Sequence, residues 1–202
     1  MSSKNSEIMS LPVFFLYRRV VFPFCLLAIK SSSPLPDDIG EGGEIVVLPV
    51  KNMLGLVFSR GSTGVRSQVL SVAREESHYR IKFQGIRRVQ VKKVRSLKTA
   101  EFYEPAGEED GEPRNSLELL RKRAQELIFL INTDTSDRLI RLLEYIPDLS
   151  QLTDFIGNYF VLDFPRRVKL LKTFSARRRA ELLVKMLENI IVFYKKKKGI
   201  SG

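Results

Sequence analysis

The hydrophobic pattern of this chain changes period once, near residue 105, and that change limits what it can fold into. Before it, apolar residues come in short alternating runs broken by Gly, Pro and Ser; after it, they recur at three- and four-residue spacing. Period two sends successive side chains to opposite faces of a strand, whereas a period of 3.6 collects them on one stripe of a helix. Strands followed by helices, without alternation between them, specify an α+β protein: a β-barrel-like N-terminal lobe and a C-terminal helical bundle lobe. At 202 residues, 44% of them hydrophobic, the chain has enough apolar material for a buried core.

In the first half, residues 11–16 and 20–30 read as strands. The second contains Pro23, which has no ladder donor and so belongs to an edge or a bulge. Residues 31–43, rich in Ser, Pro, Asp and Gly, form a loop. Residues 44–51 and 54–59 make one hairpin, and 64–74 with 78–84 a second, turned at Glu75, Glu76 and Ser77. Gly85 is expected to end that strand, and 86–97 forms the next, with a bulge where alternation slips at Lys92, Lys93 and Val94. Six or seven such strands suffice to close, or nearly close, a small barrel.

The segments are therefore a flexible N-terminus (1–10), a β-rich lobe (11–104), an acidic linker (105–114), a helical bundle lobe (115–194) and a basic tail (195–202). Asn115 with Glu118 resembles a capping box for the first helix, Pro147 stops the second, and Asp163 and Ser175 are placed to cap the last two.

The raw material for chemistry is thin. Cys25 is the one cysteine, so no internal disulfide can form, and a reducing, cytoplasmic location is expected. His78 is the one histidine, and it falls in a turn or at a strand edge, which leaves neither a zinc centre nor a His-based catalytic pair. No catalytic residue, metal or cofactor is expected. The apolar stretch 11–29 is interrupted by Arg18, Arg19 and Pro23, so it reads as neither a signal peptide nor a membrane span, and no membrane insertion is expected.

The 34 Lys and Arg outnumber the 23 Asp and Glu, giving a net charge of +11 that favours anionic partners. Arg87, Arg88, Lys92, Lys93 and Arg95 lie on strand sequence and are candidates for an anion-binding surface, the plainer alternative being a solvated strand face. Arg177, Arg178 and Arg179 oppose the helix dipole at the start of the last helix, which points to an acidic partner or an internal carboxylate. Phe14, Phe22 and Phe24 are candidates for polypeptide binding, weighed against ordinary core packing.

Several motifs, in order, resemble the LON substrate-binding domain, the amino-terminal domain of Lon-type ATP-dependent proteases. Leu11-Pro12-Val13-Phe14-Phe15-Leu16 followed by Val20-Val21-Phe22-Pro23 is similar to that family's first strand pair. Gly64-Val65 leading into Val69-Leu70-Ser71-Val72, and the stretch from Tyr79 through Gly85 to Val89, resemble its later strands. Leu152-Thr153-Asp154-Phe155-Ile156, Leu170-Leu171 and the run from Arg177 to Leu183 resemble its helices. The resemblance implies a PUA-like barrel and a non-catalytic module that binds unfolded or partly folded polypeptides, as an adaptor or as the recognition element of a separate ATP-dependent protease. RNA or DNA binding through the basic surface is the alternative. Two departures stand out: residues 31–43 are too rich in Pro and Gly for the helix that members carry there, and no Gly-x-x-x-x-Gly-Lys-Ser/Thr loop is present to cradle ATP.

Overall fold

The structure, a computed structural model, describes residues 7–32, 34–36, 39–52, 61–105, 114–131 and 136–199. Within them the order is β1 (Met9–Tyr17), β2 (Leu26–Ser31), β3 (Glu44–Val50), β4 (Thr63–Arg74), β5 (Tyr79–Arg95) and β6 (Thr99–Tyr103). Five helices follow: α1 (Arg114–Ile131), α2 (Ser136–Tyr145), α3 (Leu149–Phe160), α4 (Phe164–Lys172) and α5 (Ala176–Lys197). The α+β expectation is met.

The six strands run β2-β5-β4-β3-β1-β6, and β6 turns back to pair with β5 as well, so β5, β4, β3, β1 and β6 close into a ring. β1 and β3 are parallel, with Val13 opposite Val46, and the other pairs of strands are antiparallel. Val13, Val46, Leu48, Val89, Val91, Ala100 and Phe102 fill the interior, as period-two strands with one apolar face require. The bulge expected near Lys92 is present as a register shift between Val91 and Lys93 against β6.

Four readings change. β5 is one 17-residue strand that passes through Gly85, so the glycine does not end it. It is there for space: a Cβ at Gly85 would collide with the Phe22 carbonyl, whose carbon would lie 2.8 Å away. β2 starts at Leu26 rather than residue 20, because Phe22 to Cys25 form a turn. β6 was not anticipated, being only five residues long with Glu101 in its middle. Asn115 lies inside α1, which begins at Arg114. The expected strand 54–59 and its hairpin lie outside the described residues.

The chain divides into two compact units, and α4 belongs with the strands: residues 1–106 and 163–172 form the first, 107–162 and 173–202 the second. Two arginines fasten α4 within the first unit. Arg88 Nε donates to the Leu171 carbonyl at 3.1 Å, and Arg167 Nη2 donates to the Val20 carbonyl at 2.9 Å with its guanidinium 5.2 Å from the Phe22 ring centroid. Burial lowers the Arg167 pKa from its ordinary value. Asp163 caps α4 by accepting from the Arg166 amide at 3.0 Å, as its position in the sequence suggests.

The second unit is organised around Arg179. Its guanidinium donates to Thr153 Oγ1 (3.0 Å), Ser150 Oγ (2.6 Å) and the carbonyls of Thr173 (2.9 Å) and Phe174 (2.7 Å), beside Asp154 at 3.8 Å. Ser175 caps α5 through the Arg178 amide at 3.2 Å, and Asp148 caps α3 through that of Gln151 at 2.8 Å. α5 continues through Lys197, so the first three residues of the supposed basic tail are helical.

Candidate functional site

The turn from Phe22 to Cys25 builds an unusual surface in the first unit. The Cys25 amide donates to the Phe22 carbonyl at 3.2 Å, with Pro23 second and Phe24 third in the turn. Phe24 has φ 61°, the left-handed position that glycine usually takes at the third place of a type II turn. A bulky residue there carries about 1–2 kcal/mol of steric cost. The turn is held because Gly85 admits it: the Phe24 amide donates to the Gly85 carbonyl at 2.8 Å, and the Gly85 amide donates to the Cys25 carbonyl at 3.0 Å. The Phe24 ring is then left 54% exposed.

β2 continues from this turn. It pairs with β5 from Leu26 opposite Gln84 to Ser31 opposite Tyr79, and among the described residues it pairs on that side only. Cys25 and Ile29 face the core, while Phe24, Leu26, Ala28 and Lys30 point to solvent, Leu26 being 64% exposed. An edge strand with an apolar outer row is an open template for another extended chain. Natural edges usually carry charge or bulges against such pairing; here Lys30 is the outer row's only charge.

Of the predicted polypeptide-binding residues, Phe24 is therefore presented. Phe22 is not: it is fully buried under the Arg167 guanidinium and is a core residue. Phe14 is half-buried, its ring 5.4 Å from that of Phe83. Leu26 was missed, although its signal was legible: residues 24 to 29 are apolar in both phases of a strand that follows a proline.

The predicted cationic residues scatter. Arg88 and Arg179 are corrected to structural arginines, because both are buried and spend their donors on carbonyls and hydroxyls. Arg87 pairs with Glu104 at 3.1 Å, and Glu104 also takes Arg66 at 2.8 Å; Arg95 pairs with Glu101. Lys92 is exposed with its ammonium 5.6 Å from the Tyr103 ring centroid, and Lys93 is exposed beside it at the bulge. In the second unit, Arg177 pairs with Glu181 at 3.5 Å, and Arg178 is exposed. The β4–β5 turn holds His78 against Glu75. Among the described residues, no three His, Cys, Asp or Glu gather closely enough to hold a metal ion.

Residues 45–189 match the family described as the ATP-dependent protease La (LON) substrate-binding domain. The chain belongs to this family. Its fold is similar to the N-terminal domain of Mycobacterium avium complex Lon protease, with a TM-score of 0.70 and 21% identity over 90% of this chain and 99% of that one. It is also similar to a Lon N-terminal domain protein from Xanthomonas campestris, with a TM-score of 0.59 and 18% identity over 88% of this chain and 98% of that one. No curated protein matches. At these identities the structural likeness is one of fold. In this LON substrate-binding domain, β2 and its turn precede the matched residues and stand on their own geometry.

Proposed function

We propose that this LON substrate-binding domain recognises non-native polypeptide by accepting an extended segment on the open edge of β2, with Phe24 and Leu26 gripping apolar side chains of the client. The observation that carries this is the strained, exposed Phe24 at the head of an edge strand whose outer row is apolar. Backbone pairing along a strand edge is indifferent to client sequence, and a pair of exposed apolar side chains adds a preference for unfolded segments. Such a module has no need of catalysis or a cofactor. It would serve in the cytoplasm as an adaptor, or as the recognition element of a separate ATP-dependent protease.

The test is fluorescence anisotropy with a labelled, permanently unfolded protein such as reduced and carboxymethylated lactalbumin, without ATP. Phe24→Ser combined with Leu26→Ser should weaken binding about tenfold or more, as for central interface anchors. Unchanged binding would remove the β2 edge from consideration. The nucleic-acid alternative draws on exposed Lys92 and Lys93 at the bulge. It requires salt-steep RNA or DNA binding that falls when Lys92, Lys93 and Arg95 become Glu.

A further inference from the structure

The C-terminal end of α5, with α1 beside it, carries a different kind of surface. The last turns of α5 read Ile190-Ile191-Val192-Phe193-Tyr194 and then Lys195 to Lys198. Ile191 is buried, but Val192 is 51% and Phe193 62% exposed. Helical spacing sets Lys185, Asn189, Val192, Phe193 and Lys196 along the outer stripe, opposite the buried Leu183, Leu187 and Ile191. Lys195 pairs with Glu126 at 2.9 Å, whereas Lys196, Lys197 and Lys198 are exposed, and no acidic residue follows Glu188 in α5. On α1, Phe129 is 66% exposed and lines a shallow groove with Lys122, Gln125, Glu126, Leu130 and Lys195, the Glu126 carboxylate being met by Arg123 and Lys195. Lys195 and Lys196 follow Val192 by one helical turn, so the apolar side chains and the lysines form one continuous patch.

We propose that this patch docks the protein on the surface of a lipid bilayer containing anionic lipid. Apolar side chains set among lysines are the composition of an interfacial anchor: the former enter the headgroup boundary, and the latter meet lipid phosphates. The contact is superficial, because no described helix is long and apolar enough to cross a membrane. Nucleic acid would satisfy the lysines but not Val192, which has no ring on which a base could stack and gains only from an apolar phase. The two requirements together select a charged bilayer over a soluble polyanion.

Co-sedimentation of the full chain with vesicles tests this, using phosphatidylcholine alone and phosphatidylcholine mixed with phosphatidylglycerol. The chain should sediment with the mixed vesicles only. Val192→Ser with Phe193→Ser should lower partitioning about tenfold. Lys196, Lys197 and Lys198 changed together to Gln should lower it about a hundredfold, at roughly fivefold for each lysine. All five side chains are exposed, so circular dichroism should be unchanged, and the Phe24→Ser, Leu26→Ser variant should sediment like the parent chain. Absence of sedimentation with the anionic vesicles overturns the proposal. So does sensitivity to the lysine changes alone with displacement by RNA, which would mark a plain polyanion site.

Discussion

Replacing Phe24 by Ala and, separately, by Gly isolates the backbone strain in the turn. Both changes remove the same half-exposed ring, so the lost burial is common to the two variants and cancels in their comparison. At an ordinary position Ala is the more stable residue by about 0.5–1 kcal/mol, because Gly surrenders more chain entropy on folding. At φ 61° the order reverses. The Ala Cβ meets the following carbonyl at a cost of about 1–2 kcal/mol, and Gly has no such contact. The difference leaves Phe24→Gly more stable than Phe24→Ala by about 0.5–1 kcal/mol. Urea unfolding followed by circular dichroism reads this as a higher midpoint for the Gly variant at equal slope. Both variants should bind an unfolded client equally weakly, since neither has the ring. An Ala variant as stable as the Gly variant would refute the reasoning, because Phe24 would then not occupy the left-handed region.

Gly85→Ala should cost about 2–3 kcal/mol, since its Cβ would run into the Phe22 backbone in a packed strand pair; a midpoint close to the parent's would mean that the turn can move aside. Arg179→Ala should cost about 3–5 kcal/mol by leaving Asp154 buried without this counter-charge, and adding Asp154→Asn should recover part of the loss in the same unfolding assay. Glu126 has a lowered pKa, chiefly because Lys195 hydrogen-bonds its carboxylate, with Arg123 assisting and partial burial opposing. A folded-state pKa below the unfolded one contributes stability above the ordinary value of 4.5 that is lost as pH falls through the folded value. Glu126→Gln should therefore lower stability at neutral pH and flatten its decline below pH 4.5, and parallel acid-unfolding curves for the two proteins would contradict the assignment.

The resemblance in motif order anticipated the family, and hydrophobic period anticipated the fold class, because both depend on local pattern. Alternation in residues 79 to 83 and 89 to 91 marks strand, and the stripes of Leu and Ile after residue 115 mark helix, whatever lies next to them. Caps at Asp163 and Ser175 were legible for the same reason: a side chain bonding an amide three residues on needs no distant partner.

Long-range contact decided the rest. Gly85 looks like a strand breaker in sequence and proves to be the opening that lets the turn at Phe22 close over β5, a fact carried by residues far back in the chain. Phe22 and Phe24 are two residues apart and chemically identical, yet one is core and the other is offered to solvent, because the turn between them reverses the alternation that a continuous strand would impose. Arg88 reads as a surface charge, and Arg179 as the mate of either an outside or an internal carboxylate, until the fold brings a carbonyl to the one and hydroxyls, carbonyls and Asp154 to the other. Periodicity states which residues share a face; only tertiary packing states what that face meets, since burial is a property of neighbours that the chain order does not contain.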